Sequence, residues 1–170
     1  MQQSGANSVR ALLLDLYSRE PIENLRYRPG QNPIEVVSFF DSDISLYKKG
    51  PGGLVKGGVR KRVFDASVAL TKHPIILFEQ GVNIRVGMHH PAQGSIFSKN
   101  YCVLLHTKFL QDCPQKSLDA VDSKQFWDNS SEYVKYMQIF SKNVHTSFWS
   151  KGVSMRYENL EQLQELGLCM

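Results

Sequence analysis

Two histidine-bearing stretches and one cationic stretch hold the residue types that do chemistry. Gly87-Met88-His89-His90-Pro91 ends a short apolar run, and His106 ends Tyr101-Cys102-Val103-Leu104-Leu105. Each therefore stands at a predicted strand terminus, where a side chain can meet a cleft. Neutral imidazole is a common metal ligand, and a histidine beside an apolar strand also serves as a hydrogen-bonded structural residue. No His-Glu-x-x-His spacing links these histidines, and His73 and His145 lack any such context. Upstream, Gly50, Gly52, Gly53, Gly57 and Gly58 surround Pro51 and Lys56. Backbone this bare brings N–H groups close to an anion, or simply makes a flexible loop. The stretch does not end in Gly-Lys-Ser or Gly-Lys-Thr. As read, it also does not lead from a strand into a helix, so no nucleotide fingerprint is complete.

The glycines run into Val59-Arg60-Lys61-Arg62-Val63-Phe64, read as a strand with Arg60 and Arg62 on one face. Two forked guanidiniums grip a phosphate or carboxylate, and a basic edge strand equally deters aggregation. Lys48, Lys49, Lys56 and Lys61 with Tyr47 and Phe64 extend this into a basic, aromatic surface, but no nucleic-acid motif is complete. No Gly-x-Ser-x-Gly elbow exists and no cysteine has a nucleophile's context, which sets a hydrolase aside.

These residues need a scaffold, and the composition supplies one. The chain has 170 residues, 42% hydrophobic and 21% charged, as in a globular domain with its own core. One domain over 1–170 is expected, with residues 1–8 flexible. The formal charge of +4 suits anionic partners without demanding nucleic acid, and none is expected. Cys102, Cys113 and Cys169 are too few for a disulfide framework and have no zinc-ligand spacing, which favours a reducing compartment. No apolar run reaches the roughly 18 residues of a membrane span and no signal-peptide core is present, so the expected location is cytoplasmic.

Val9 to Tyr17 is almost continuously apolar and reads as a strand buried on both faces. Such a strand needs neighbours on both sides, so the chain is read as starting in the middle of a sheet. Ser18 to Pro33 reads as a long loop, Ile34 to Phe40 as a brief apolar element, and Asp41-Ser42-Asp43 as a turn. Short strands are expected at Val59 to Phe64, Ile75 to Phe78, Ile84 to Val86 and Tyr101 to Leu105. From Ser117 onward, Leu118, Val121, Phe126, Tyr133, Tyr136, Met137 and Phe140 recur at three- and four-residue steps, predicting one or two amphipathic helices. Glu158 to Leu166 predicts a last helix, with Gly167 as its C-terminal glycine. The fold class is α/β: a mixed sheet with long loops and C-terminal helices.

Several segments, in order, carry a family resemblance. They are Ala11-Leu12-Leu13-Leu14-Asp15-Leu16-Tyr17-Ser18 with Pro21-Ile22, Tyr27-Arg28-Pro29-Gly30, and Gly57-Gly58-Val59-Arg60-Lys61-Arg62-Val63-Phe64. Lys72 with Pro74, His89 and Leu104-Leu105-His106-Thr107-Lys108-Phe109-Leu110 follow, then Phe126-Trp127, Glu132-Tyr133-Val134-Lys135-Tyr136, Tyr157-Glu158 and Leu163. From about Val9 to the C-terminus, the chain resembles the C-terminal half of bacterial family 2-like glycosyltransferases of GT-A fold, associated with capsule or surface polysaccharide synthesis. Thr107 departs from the aromatic residue expected between His106 and Lys108. The family's nucleotide-sugar site and its Asp-x-Asp metal motif belong to an N-terminal half, upstream of a strand like Ala11 to Tyr17. Asp41-Ser42-Asp43 falls after that strand and is not that motif.

The resemblance implies transfer of a sugar from a nucleoside-diphosphate sugar to a glycan acceptor, with a divalent cation, Mn2+ or Mg2+, and cationic side chains neutralising the departing diphosphate. It implies His106 as a metal or diphosphate contact and Lys108 as an aid to the leaving group. Gly57, Gly58, Arg60 and Arg62 would hold diphosphate or acceptor, with His89 on the acceptor side. Asp15 or Glu79 is the base, unless that base lies in the N-terminal half. Hard cations want several oxygen ligands, so the chain alone is expected to be inactive. An exposed sheet edge is expected to recruit a second copy. A non-catalytic carbohydrate- or partner-binding module, or a basic nucleic-acid-binding protein, is the alternative function.

Overall fold

A computed structural model of the chain describes residues 5–50, 54–78, 88–89, 94–142, 145 and 147–169. The apolar run near the start forms β1 (Ser8–Asp15), seven of whose eight residues are buried. It is the middle strand of a three-stranded sheet. On one side it pairs antiparallel with β5 (Thr71–Ile76), on the other parallel with β6 (Phe97–His106). Both flanks of β1 are thus filled by strands from later in the same chain. The sheet is mixed, as expected, and its outer strands among the described residues are β5 and β6.

The segment after β1 is more structured than a loop. Ile22 and Leu25 are buried around a 3-10 turn at Ile22–Asn24. Asn32 caps a single helical turn, α1 (Pro33–Val36), by accepting from the Ile34 N–H. Next comes β2 (Phe39–Asp41), which pairs antiparallel with β7 (Ser154–Arg156) near the other end of the chain. Asp41, expected in a turn, ends β2 and is fully buried, while Asp43 does take a turn role by capping Ile44–Leu46. β3 (Tyr47–Lys49) and β4 (Val55–Gly57) form a hairpin.

Gly58–Phe64 is a helix, α2, and not the expected strand. The reason is the spacing of the side chains that must go inside. Val59, Arg60 and Phe64 are buried while Lys61 is exposed, a three-to-four-residue rhythm that a helix satisfies and a strand does not. Asp65 closes α2 in the left-handed conformation with φ 53°, its N–H bonded to the Lys61 carbonyl and that of Ala66 to the Arg60 carbonyl. Because residues two apart on a helix point to nearly opposite sides, Arg60 and Arg62 do not share a face. Gly57 and Gly58 do lead from a strand into a helix, contrary to the sequence reading, but α2 has only seven residues.

The one or two amphipathic helices expected from Ser117 onward are two, α3 (Cys113–Ser123) and α4 (Trp127–Phe140), packed on each other. α4 opens with three left-handed residues, Asp128, Asn129 and Ser130, before its right-handed turns. The last helix, α5 (Leu160–Glu165), ends before Gly167, whose φ is +71°. The core joins Leu12, Leu14 and Leu16 of the β1 region to an aromatic group of Phe64, Phe109, Tyr136 and Phe148. Phe64 lies 4.3 Å from Tyr136 and 5.2 Å from Phe148 between ring centroids, so α2 is the seat on which the C-terminal half packs. The predicted strand Ile84 to Val86 lies outside the described residues. No helix among the described residues is long and apolar enough to cross a membrane.

Gly57 has φ +131°, and a Cβ there would stand 1.8 Å from the Leu46 carbonyl oxygen. Gly152 also has positive φ, +80°, but with nothing within 4 Å of a Cβ. Gly57→Ala should therefore cost at least about 2–3 kcal/mol, and Gly152→Ala about 1 kcal/mol, by urea unfolding. Equal losses would rule out the close approach of β4 to the 44–46 turn.

Candidate active site

β1 and β6 run parallel, with Asp15 opposite His106 at their C-terminal ends. The backbone fixes this meeting, since the Leu16 N–H donates to the His106 carbonyl at 2.9 Å. In α/β sheets the carboxyl ends of parallel strands are where ligands sit, because chain connections leave a crevice there. Here that end is closed on one side by α2, which presents Arg60, and on another by α4, which presents Glu132 and Tyr136.

Arg60 organises the cluster. Its Nε donates to Asp15 Oδ2 at 2.6 Å and its Nη2 to Asp15 Oδ1 at 2.7 Å, a forked pair in which both side chains are nearly inaccessible. Its Nη1 donates to Glu132 Oε1 at 3.0 Å. The same carboxylate oxygen accepts from Lys108 Nζ at 3.0 Å and from the Tyr136 hydroxyl. Lys108 also lies 4.5 Å from the Tyr133 ring centre and 4.6 Å from that of Tyr136, so its ammonium rests on two aromatic faces. His106 Nδ1 is 2.6 Å from Asp15 Oδ1 and 3.1 Å from Arg60 Nη2.

Burial by itself would raise the Asp15 pKa, but the Arg60 charge and the bonds from His106 and Arg60 outweigh it and hold the carboxyl at about 2. Glu132 is lowered for the same reason: Arg60 and Lys108 overcome its burial. Lys108 is pulled down by burial and by Arg60, against the attraction of Glu132. Lys72, on β5, is also lowered, first by burial and then by the Arg60 charge. Lys72 has no carboxylate at ion-pair distance among the described residues, so Arg60, Lys72 and Lys108 face two carboxylates and positive charge is left over.

Four residues singled out in the sequence, Asp15, Arg60, His106 and Lys108, thus meet in one place. Arg62 does not join them. It leaves the far side of α2 and donates to both oxygens of Asp41, at 3.0 and 2.7 Å, and to the Phe148 carbonyl at 2.7 Å. The Tyr17 hydroxyl donates to Asp41 at 2.6 Å. This second network ties the C-terminal segment to β1 and β2. Gly57 and Gly58 answer to steric need, the first against Leu46 and the second against the Tyr47 ring. His89 does not join the cluster either; it contacts β5, its Nδ1 2.9 Å from the Thr71 carbonyl oxygen. Glu79 lies outside the described residues. All three cysteines are free, and burial pushes the Cys113 thiol up to about 11, which suits an inert thiol.

In the sequence Glu132 and Lys72 stand out only by their place in matching segments, and Tyr136 also as part of the apolar stripe of a helix. A signal for Glu132 existed: it falls four residues before Tyr136, on the partly buried face of an amphipathic helix, where a carboxylate requires a partner. No group of three or more His, Cys, Asp or Glu side chains is arranged to hold a metal among the described residues. Asp15 and Glu132, the carboxylates beside His106, are already matched by Arg60 and Lys108, so these residues by themselves do not fit a divalent cation.

No family model, curated protein or solved structure matches the chain.

The depressed pKa of Asp15 is a stability statement. Its contribution is complete above the ordinary aspartate value of 3.8 and is lost as the pH falls through about 2. Its size is on the order of 2 kcal/mol. Asp15→Asn leaves Arg60 buried without its main counter-charge, costing about 3–5 kcal/mol at neutral pH. Urea midpoints from pH 7 to pH 2 should fall less steeply in this variant than in the parent. Identical slopes would show that Asp15 is not the residue held ionised.

Proposed function

We propose that this chain is the acceptor-side part of a transferase that moves a sugar from a nucleoside-diphosphate sugar to a glycan hydroxyl. The observation that carries the reading is the convergence of Asp15, Arg60, His106, Lys108 and Glu132 at the C-terminal end of the parallel β1–β6 pair. Segments scattered through the sequence that resemble the family meet in one charged site. A separate surface role would not require them to meet.

Within this reading the cations divide by exposure. Arg60 is buried and holds the two carboxylates, so it shapes the site without touching a ligand. Lys72 carries the charge available to the departing diphosphate, whose build-up of negative charge a fixed ammonium group stabilises, and Lys108, paired with Glu132, adds to the local positive potential. A cleft of about 270 Å³ is lined by Glu132 with Ala66, Ser67, Val68, Asp128, Ser131 and Lys135, a mixed polar and apolar wall of the kind that a sugar's hydroxyls and ring face can meet. A divalent cation belongs to the reading through acidic ligands of a nucleotide-binding half, outside these residues. GT-A architecture and assembly with a second copy are part of the same proposal.

The test is a titration of the chain with UDP-, GDP-, CDP- and dTDP-sugars and with neutral oligosaccharides, followed by backbone amide spectra. Shifts centred on His106, Lys108 and Lys72 are expected. Lys72→Ala should weaken nucleotide-sugar binding about tenfold, the scale of one charged hydrogen bond. The chain alone should transfer little or no sugar. Absence of any response to nucleotide sugars and glycans would overturn the reading.

A further inference from the structure

We infer that His106 is the proton acceptor of this site and that Asp15 is the residue that positions it; the inference rests on the transferase reading above. The argument begins with what His106 Nδ1 can do. It faces Asp15 Oδ1 at 2.6 Å and Arg60 Nη2 at 3.1 Å. A guanidinium has only donors and a carboxylate only acceptors, so Nδ1 bonds the first if bare and the second if protonated. The Asp15 contact is the shorter and is charge-assisted, and Arg60 Nη2 already donates to Asp15 Oδ1 at 2.7 Å. Nδ1 therefore carries the hydrogen, and in the neutral ring Nε2 is left with its lone pair.

Two independent constraints fix this orientation. The parallel register of β1 and β6 sets the backbones of Asp15 and His106 opposite each other. The fork from Arg60 holds the Asp15 carboxylate, which the imidazole must meet. The Asp15 side chain is 3% exposed and that of His106 is 34% exposed, so the imidazole is the member of the pair that reaches solvent. Asp15 itself, buried with both oxygens engaged, cannot meet an acceptor hydroxyl. Glu132 is held by Arg60, Lys108 and Tyr136. The arrangement repeats the logic by which a buried carboxylate orients a catalytic imidazole and stabilises the imidazolium it becomes.

In the step this predicts, the acceptor hydroxyl gives its proton to His106 Nε2 while its oxygen forms a bond to the anomeric carbon of the donor. The bond from that carbon to the diphosphate oxygen breaks, and its electron pair leaves on the diphosphate. The proton then passes from the imidazolium to water. A single displacement of this kind inverts the anomeric configuration.

The first measurement needs no variant: long-range proton–nitrogen spectra of the neutral imidazole of His106 in the wild-type chain. Hydrogen on Nδ1 with a bare Nε2 is expected, and Asp15→Asn, whose amide can donate, should shift the population towards hydrogen on Nε2. Hydrogen on Nε2 in the wild type would overturn the inference while leaving the transferase reading intact. The second measurement uses the protein at its native length in its own cell. His106→Asn keeps an N–H that reaches Asp15 but lacks the distal nitrogen, and should lower kcat by about 10²–10⁴. His106→Gln, checked by thermal melting, guards against loss of fold. Unchanged kcat in a folded variant would overturn the assignment of the base. A wild-type protein that binds no nucleotide sugar would overturn the transferase reading, and this inference with it.

Discussion

Removing a charged side chain from water is tolerable only when its partner is placed well, and in this protein the Arg60–Asp15 pair sets that condition for everything around it. Asp15 is the last residue of the central strand, and Arg60 lies in the first turn of α2. Bringing them to forked contact forces α2 to dock across the C-terminal end of the sheet. Phe64, one turn further on, is then delivered to Phe109, Tyr136 and Phe148. A single geometric demand thereby couples the sheet to the helices.

The same demand recruits the remaining charges. With both oxygens of Asp15 occupied, the third donor group of Arg60 needs an acceptor, and Glu132 on α4 supplies it. Glu132 in turn takes Lys108 and Tyr136. Each addition satisfies a group that the previous one left open, as buried polar networks must if they are not to cost more than they give. The outcome is a cluster whose charges are matched at its buried base and which reaches solvent at His106.

Arg62 shows the complementary use of charge. Its pairing with Asp41, Tyr17 and the Phe148 carbonyl lies on the opposite side of α2 and links segments more than a hundred residues apart in the chain through Ser154, which meets the Tyr17 hydroxyl at 2.8 Å. One short helix therefore serves two networks, and only one of them reaches the candidate site. That division follows from helical geometry, in which side chains two apart diverge.

Much of this protein is set by its sequence directly. The almost continuous apolar run of β1 is short and close to the length of a strand buried on both faces, and the three-to-four-residue rhythm after Ser117 matches the helical period. His106 is legible as a site candidate from its place at a strand end, and Lys108 from the family resemblance. The state of Val59 to Phe64 was not legible. Six residues with two valines flanking three consecutive cations fit a strand locally, and what makes them a helix is the distant need of Arg60 for Asp15 and of Phe64 for Tyr136. Asp41 was misread for a like reason: Asp-Ser-Asp is a turn by local preference, and a buried carboxylate only once Arg62 and Tyr17 arrive. The pairing of Asp15 with His106, ninety-one residues apart, exists only in the parallel register of β1 and β6. Local patterning is a property of neighbours in the chain, whereas the partners of buried charges are neighbours in space, and only the folded chain brings those together.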